Sequence, residues 1–571
     1  MNRELMTGLI PLFAVIIASY PLGRHLAKVY KGEKNWMSFM SPIERFIYKL
    51  AGIDPKEEMT WKHFLRSLLI CNLFWFFWGI LLLLIQGILP LNPDGNSGQS
   101  LHLALNTCVS FLVNANLQHY SGESGVTYFS QLFVIMLFQF LAAATGMAAM
   151  AGIMKAMLTK CGKTIGNFWV YLVSSITRVL LPLALIMACF LILDGVPMTF
   201  EGKKEVTTLE GNKQFISQGP VAAIVAIKQL GTNGGGFYGA NAAHPLENPT
   251  FLSNTVSCMS MLLLPMSFVF ALGFYLKKKK FAFSVFTVML VALLVGIAVT
   301  VSTERLGNPN ISFMGIDQSG GAMEGKESRL GASATAQWSA ITTATSNGSV
   351  NGMHDSMMPL SGLVTLLNMQ VNSWFGGVGV GFMNYYVFII IAVFISGLMV
   401  GRTPEFLGKK IEAKEMKIAI MLALLHPFLI LASVAVTSWM IVRNPELSAQ
   451  WLANPSFHGF TEILYEYTSS AANNGSGFEG LKDSSIYWNI SCAIVLAASR
   501  FLSIGGQIAI AGLLAGKQFI PESVGTLKTD TSTFALMTFV VILIIAALSF
   551  FPVLTLGPLA EYVTIKLEFK L

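Results

Sequence analysis

The chain has 571 residues, of which 54% are hydrophobic and only 12% are charged, and its formal net charge is +7. Soluble domains carry about 25% charged residues, so the composition excludes an ordinary soluble protein and indicates an integral membrane protein in contact with lipid. The basic residues form no clustered patch of the kind that binds nucleic acid, and we therefore expect no nucleic-acid partner.

Apolar runs long enough to cross the roughly 30 Å of membrane hydrocarbon recur along the whole chain and predict an all-α fold with about ten transmembrane helices. The run at 356–400 is too long for one span and contains the glycine-rich segment Phe375–Gly381, so it predicts a broken helix or two short ones. The predicted spans are 4–22, 64–90, 127–158, 168–194, 253–276, 281–302, 356–400, 418–442, 485–513 and 533–557.

The distribution of Lys and Arg predicts the orientation of these spans. Together, the loops after odd-numbered spans carry 21 Lys and Arg, compared with 9 in the longer loops after even-numbered spans, and Lys277–Lys280 lies in one of the odd-numbered loops. Basic loops face the cytoplasm in membrane proteins, so we expect these loops to be cytoplasmic. The loops after even-numbered spans and both termini are then expected outside the cell membrane.

Each of the four outward loops holds a short apolar stretch followed by a small polar cluster. Apolar segments of roughly 10–14 residues are candidates for re-entrant helices. The clusters align in three columns. The first column contains Asn114, Thr232, Ser346 and Asn473; the second contains Ala115, Asn233, Asn347 and Asn474; the third contains Asn116, Gly234, Gly348 and Gly475.

This recurrence predicts four repeats of span, pore helix, filter loop and span, with one extra span at each end. Non-helical backbone at membrane depth must be buried in protein or line a water-filled path, so we expect the four loops to meet around one axis. One isolated cluster would more often be an ordinary turn, but four at matched spacing favour a filter. The predicted segments are 1–63 for the first span and its loop, 64–158, 168–276, 281–400 and 418–513 for the repeats, and 533–571 for the last span.

The chemistry of the three columns favours a monovalent cation. Their oxygens are neutral, and no Asp or Glu occurs among them. Backbone carbonyl oxygens, with the negative ends of four short helices behind them, suit a dehydrated monovalent cation. A filter for divalent ions would usually present formal negative charge.

Several stretches of the sequence resemble one known family. They are GTNGGGFYGANAAHPLENPT, NANLQHYSGE, NGSVNGMHDSMMPLSGL, VGRTPEFLGKKIEAKEMK and SSAANNGSGFEGL. They are similar to diagnostic stretches of the potassium-binding A subunits of bacterial Kdp-type potassium-transporting ATPases, which belong to the four-pore-loop potassium transporter superfamily. The resemblance runs through all four repeats and both end spans.

The resemblance implies a function. An A subunit of this family selects and binds K⁺ in its filter, so the twelve column residues are expected to bind K⁺, with Gln118 next to them. It also implies a catalytic P-type ATPase partner (the B subunit) that hydrolyses ATP, a C subunit and a small F subunit. The complex is expected in the bacterial inner membrane, with K⁺ leaving the A subunit through a tunnel toward the ATPase partner. The loose filter sequence leaves the number of ion sites open.

Arg500 and a set of glycines are candidates for the exit path. Arg500 lies inside a predicted span, where a charge costs roughly 2.5–3.5 kcal/mol on insertion scales. It could repel K⁺ from a straight exit, or it could pair with carbonyls of the broken helix. The glycines allow a helix to unwind beside a cavity, so we interpret the break as a gating loop, with a simple hinge as the alternative. They are Gly376, Gly377, Gly379 and Gly381.

The sequence predicts no ATP-binding site on this chain. KCGKT (Lys160–Thr164) lacks the first glycine of a P-loop, and no D-K-T-G phosphorylation motif occurs. The chain is therefore expected to be a non-catalytic subunit of an ATP-hydrolysing transporter. An intramembrane enzyme would need a metal cluster or an activated nucleophile, but Glu123, His244, Glu247 and the six scattered cysteines show no ligand spacing. A stand-alone gradient-driven or channel-like K⁺ transporter remains the main alternative.

Overall fold

The computed structural model describes residues 3–399, 401, 403–520 and 528–568. Ten helices in these residues are long and apolar enough to cross a membrane. Numbered as spans 1 to 10 in chain order, they are Arg3–Tyr30, Trp61–Ile85, Tyr128–Leu158, Phe168–Leu193, Phe251–Leu276, Lys279–Arg305, Val380–Met399, Ala413–Arg443, Ile486–Ala515 and Ser532–Leu556. The predicted all-α membrane fold is therefore confirmed.

Four shorter helices stand between pairs of spans, each just before one of the polar clusters. They are called pore helices 1 to 4 and comprise Leu101–Leu112, Val221–Leu230, Ala332–Ala344 and Ser456–Ala472. This arrangement confirms the four repeats and leaves spans 1 and 10 as the extra spans at the two ends. The residues at which we divided the repeats remain a prediction.

The predicted break in the third repeat is present. A helix at Pro359–Val371 ends before residue 372, and span 7 begins at Val380. We call residues 372–379 the break segment. Span 1 differs from its prediction, because its helix continues to Tyr30 instead of ending near residue 22. The backbone of Gly23 packs directly on Ser267 of span 5, and Leu26 and Tyr30 beyond it are buried, so contact with span 5 sustains the helix past the apolar run.

The remaining elements are short. Strands β1 (Lys204–Thr207) and β2 (Lys213–Ile216) form an antiparallel hairpin in the loop before pore helix 2, with Lys204 opposite Ile216. Strands β3 (Glu405–Phe406) and β4 (Lys409–Lys410) pair in the loop before span 8. The short helices are Ser38–Met40, Ser41–Leu50, Gln86–Ile88, Gly122–Gly125, Asn241–Ala243, Pro309–Phe313, Glu446–Trp451 and Pro558–Glu568. Spans 3 and 4 each contain one wider π-helical turn.

The spans differ in how deeply they lie in the protein. In span 5, 83% of the most apolar stretch of 18 residues is buried inside the protein, compared with 17% in span 8 and 28% in span 10. Span 5 is therefore central, and it packs along span 1. Spans 8 and 10 present most of their apolar surface outward, toward lipid or a partner chain. Pore helix 1 packs against span 9 of the fourth repeat, so the first and last repeats are neighbours.

Candidate functional site

All four pore helices end with the same backbone turn. The first-column residue after each helix has a left-handed backbone: φ is 67° at Asn114, 48° at Thr232, 48° at Ser346 and 52° at Asn473. Each second-column N–H donates to the carbonyl oxygen five residues earlier, over 2.9–3.0 Å; the pairs are Ala115–Ser110, Asn233–Lys228, Asn347–Thr342 and Asn474–Ser469. This is the Schellman helix end. It turns the chain away from the helix axis at the same point in every repeat.

The third column explains why glycine recurs there. Gly234, Gly348 and Gly475 have φ of 78°, 82° and 102°. A Cβ atom on these residues would lie only 2.0, 2.1 and 1.8 Å from the carbonyl oxygens of Asn347, Asn474 and Ala115, respectively. Each glycine therefore touches the second-column carbonyl of the next repeat, and any side chain would push the two loops apart.

Side chains of the first repeat close the ring against the second repeat. Asn114 Nδ2 donates to Thr232 O at 2.7 Å, and Asn116 Nδ2 donates to Gly234 O at 2.8 Å. Gln118 pairs with Gly236 twice: its Nε2 donates to the carbonyl at 3.2 Å, and its Oε1 accepts from the amide at 2.7 Å. The four loops thus meet around one axis in the order 1, 2, 3, 4. Asn116 occupies the position that glycine holds in the other three repeats, and its side chain hydrogen-bonds the first loop to the second.

The first-column side chains tie the ring to its surroundings. Thr232 Oγ1 accepts from the amide of Val378 at 3.0 Å, and Ser346 Oγ donates to Asn372 Oδ1 at 2.8 Å. Both partners belong to the break segment, which therefore lies directly against repeats 2 and 3. A left-handed backbone in a residue other than glycine costs on the order of 1–3 kcal/mol, and these hydrogen bonds help to offset that cost.

A fully buried ion pair supports the second loop. The Lys228 ammonium on pore helix 2 contacts the Glu247 carboxylate, and it donates to Gly235 O at 2.8 Å and to Asn241 Oδ1 at 2.7 Å. Glu247 also accepts from the amide of Phe237 at 3.1 Å. The pair therefore fixes the backbone just after the third column. Sequence analysis missed Lys228, although a lone lysine in an otherwise apolar pore helix was a usable signal.

The residues weighed for an intramembrane enzyme have separate partners. Glu247 pairs with Lys228, Glu123 accepts from the amide of Gly239 at 2.8 Å, and the His244 ring stacks on Tyr238 with 3.7 Å between centroids. Their contacts are structural, and they supply no arrangement of base, nucleophile and orienting group.

A cavity of about 80 Å³ lies next to the first-column residues, on the side of the ring where the pore helices end. A water needs roughly 10–15 Å³ by this measure, so the cavity has room for several waters or a partly hydrated ion. It runs from the first column toward the inner faces of spans 7 to 10. Its lining includes Asn114, Ser346, Asn473, Gly376, Gly377, Asn384, His426, Arg500, Gln507 and Ile542.

Arg500 faces this cavity from span 9 and is 4% exposed. Its guanidinium donates to the carbonyl of Ala142 in span 3 at 3.2 Å, so the carbonyl that holds it does not belong to the broken helix. Among the residues that the structure describes, no carboxylate lies within 4.0 Å of the guanidinium. Its positive charge is therefore uncompensated by a direct ion pair beside the ring.

The glycines of the broken helix are required for close packing. Gly377 has φ of 60° and donates its N–H to Thr345 O at 2.6 Å, just before the first column of repeat 3. A Cβ on Gly379 would lie 2.7 Å from Gly146 O of span 3, and one on Gly381 would lie 2.5 Å from the amide nitrogen of Gly376. The break segment is thus wedged between the ring, span 3 and its own following helix.

Comparisons with known proteins agree with this architecture. The model of the potassium-transporting ATPase A subunit family matches residues 9–563. The chain is 66% identical to the potassium-transporting ATPase potassium-binding subunit of Parabacteroides distasonis, over 99% of this chain and 100% of that protein. It is 57% identical to the corresponding subunit of Flavobacterium johnsoniae over 99% and 100%, and 47% identical to that of Geobacillus kaustophilus over 97% and 98%.

One solved structure extends the comparison to the fold. The potassium transporter TrkH from Vibrio parahaemolyticus matches with a TM-score of 0.50 and 13% sequence identity, covering 88% of this chain and 97% of that one. At this identity the match shows a shared fold and nothing more. The family match over nearly the whole chain, together with relatives that are 47–66% identical, identifies the protein as a member of the potassium-transporting ATPase A subunit family.

Proposed function

We propose that this chain is the K⁺-selecting and K⁺-binding subunit of an ATP-driven K⁺ uptake pump. One observation carries the proposal: four loops with the same helix end close into a single ring of neutral oxygens, in a chain of this family. A ring of carbonyls can replace the water shell of a monovalent cation. The C-terminal ends of the four pore helices add negative potential at the same point.

The twelve column residues form the proposed filter. The second-column carbonyls of Ala115, Asn347 and Asn474 each contact the glycine of the preceding repeat, so the ring diameter depends on direct backbone contact. Asn116 and Gln118 maintain the junction between repeats 1 and 2. Neutral oxygen ligands of this kind suit a dehydrated monovalent cation such as K⁺.

The proposed exit path runs sideways through the cavity. Arg500 places a positive charge on the cavity wall, next to the residues of the first column, and a cation leaving the ring is repelled from it. The break segment is the proposed gate, because Thr232 and Ser346 of the ring bond to it directly. K⁺ would pass between spans 7 to 10 to the P-type ATPase partner, the B subunit, seated against the exposed faces there.

The energy source is assigned to that ATPase partner. The sequence carries no P-loop and no phosphorylation motif, so ATP hydrolysis is proposed for the partner chain, with a C subunit and a small F subunit completing the complex. The proposed location is the bacterial inner membrane, with both termini outside and the basic loops in the cytoplasm. The alternative of a stand-alone K⁺ transporter with the same fold is disfavoured, because the relatives are named as subunits of a potassium-transporting ATPase.

Reconstitution in liposomes separates the two candidates. We expect no steady K⁺ uptake into vesicles that hold this chain alone, and ATP-dependent uptake when the assembled complex is reconstituted. Uptake would be measured with a K⁺-sensitive dye inside the vesicles. Steady uptake by the isolated chain, driven only by a K⁺ gradient, would establish the stand-alone transporter instead.

The same vesicles test the role of Arg500. In the assembled complex, Arg500→Gln removes the charge and keeps a hydrogen-bond donor for Ala142 O. We expect ATP-independent K⁺ leakage through this variant and none through Arg500→Lys. A tight Arg500→Gln complex that pumps normally would refute the electrostatic barrier and leave Arg500 a structural role.

A further inference from the structure

A cluster of metal-ligand side chains lies outside the filter, where the first and fourth repeats meet. His119 follows the first filter loop, Glu466 lies on pore helix 4 and Cys492 lies on span 9. His119 Nε2 is 3.2 Å from Glu466 Oε1, and Cys492 Sγ is 3.4 Å from the same oxygen. The three ligand atoms all lie within 4.8 Å of one another, and all three residues are buried. Asp483 Oδ2, 3.9 Å from His119 Nε2, is a fourth candidate ligand.

The spacing of these atoms matches a tetrahedral zinc site. Zinc binds nitrogen and oxygen at about 2.0–2.2 Å and thiolate sulfur at about 2.3 Å, which places tetrahedral ligand atoms roughly 3.4–3.6 Å apart. The two shortest distances in the cluster are within about 0.2 Å of this range. Asp483 lies outside the group of three mutually close ligand atoms, so its side chain has to turn from His119 toward the ion in order to bind it. One nitrogen, one sulfur and two carboxylates form a donor set that suits zinc.

The neighbours of His119 fix the orientation of its ring, with Nε2 toward the cluster. Asn489 Nδ2 donates to His102 Nδ1 at 3.0 Å, which turns the amide oxygen of Asn489 toward His119 Nδ1, also at 3.0 Å. That oxygen only accepts, so His119 carries a proton on Nδ1 and directs Nε2 at Glu466. Metal-binding histidines are usually held in this way by a bond to the other ring nitrogen.

We propose that His119, Glu466, Cys492 and Asp483 bind a Zn²⁺ ion from the outer solution. The side chain of Asp483 is 31% exposed and provides the entry point. On binding, the ion displaces one proton from His119 Nε2 and one from the Cys492 thiol. Both protons leave to the solvent, as metal binding to histidine and cysteine generally requires.

The position of the site gives it a structural effect on the filter. His119 is adjacent to Gln118, which clamps the second repeat at Gly236. Glu466 lies about two helical turns before Asn473. The bound ion therefore ties repeat 1 to repeat 4 at the junction where Gly475 touches the Ala115 carbonyl.

Cobalt substitution tests the site with a spectroscopic readout. The purified assembled complex would be depleted of metal with a chelator and titrated with Co²⁺ alone. We expect one tightly bound Co²⁺ per chain, a thiolate-to-cobalt charge-transfer band, and displacement by Zn²⁺. Absence of the band in the wild-type complex would refute the proposal.

Variants assign the ligands. Cys492→Ser is expected to lose the band, and Asp483→Asn, at an accessible position, is expected to keep the band with at least tenfold weaker Co²⁺ binding. Cys258→Ser is the matched control, because Cys258 is a buried cysteine on span 5 outside the cluster. Size-exclusion chromatography of each complex verifies folding. An unchanged band in Cys492→Ser, or an equal loss in Cys258→Ser, would overturn the assignment, and unchanged binding in Asp483→Asn would overturn the fourth ligand.

Discussion

Replacing Gly234 with alanine is expected to lower the apparent K⁺ affinity of ATP-driven uptake by at least about tenfold, which corresponds to about 1.4 kcal/mol. The new Cβ would lie 2.0 Å from the Asn347 carbonyl oxygen, so the second and third loops must separate. The ring then no longer fits a dehydrated K⁺, and selectivity over Na⁺ falls with the affinity. Gly234→Asp is expected to do more damage, because it adds charge as well as bulk.

Gly315→Ala is the matched control for this prediction. Gly315 has φ of 80°, almost the same as the 78° of Gly234, but nothing lies within 4 Å of the Cβ position. The two variants therefore share the backbone strain of alanine in a left-handed conformation, but only Gly234→Ala places the new Cβ against another loop of the ring. Both would be measured by the K⁺ concentration dependence of uptake. Wild-type affinity and ion preference in Gly234→Ala would contradict the filter assignment.

The variant Lys228→Met is expected to destabilise the folded chain by about 3–5 kcal/mol, because it leaves the Glu247 carboxylate buried without its partner. The side chains of both residues are 0% exposed. In Lys228→Met/Glu247→Gln the charge is gone and the glutamine can still accept from the Phe237 amide, so most of the stability should return. Both variants should bind K⁺ more weakly than the wild type, since nothing in either of them replaces the ammonium bond to Gly235 O.

Thermal stability by size-exclusion chromatography measures this prediction. The exposed pair Lys213–Glu205 on the β1–β2 hairpin is the control, with side chains 72% and 47% exposed. Exposed pairs contribute about 0–1 kcal/mol, so Lys213→Met should leave the melting temperature almost unchanged. If Lys228→Met melts like the wild type, or if the double variant is no more stable than the single one, the ion pair does not hold the second loop.

The membrane architecture could be read from the sequence because the bilayer imposes simple rules. Span length follows from hydrocarbon thickness, and four re-entrant segments at similar spacing indicate repeats. Even the broken helix was visible, since the glycines around Gly377 interrupt an overlong apolar run. Span 1 was predicted too short, because the contact of Gly23 with span 5 is not encoded in local hydropathy.

The contacts between repeats could not be predicted in this way. The bond from Asn116 to Gly234 O joins residues 118 positions apart, and the contact between His119 and Glu466 joins residues 347 apart. Single histidines and cysteines on apolar faces are usually packing residues, so Cys492 gave no signal of its own. Lys228 is different: the rule that flagged Arg500, a charge inside an apolar helix, applied equally to it.

The position of the bound ion tests the filter assignment most directly. Thallium(I) resembles K⁺ in size and charge and scatters anomalously, so crystals of the assembled complex soaked in a Tl⁺ salt would locate the binding site. The filter assignment predicts an anomalous peak on the axis between the four loops, within coordination distance of the second-column carbonyls, including those of Ala115, Asn347 and Asn474. Tl⁺ bound elsewhere, with the ring empty at a concentration that saturates transport, would contradict it.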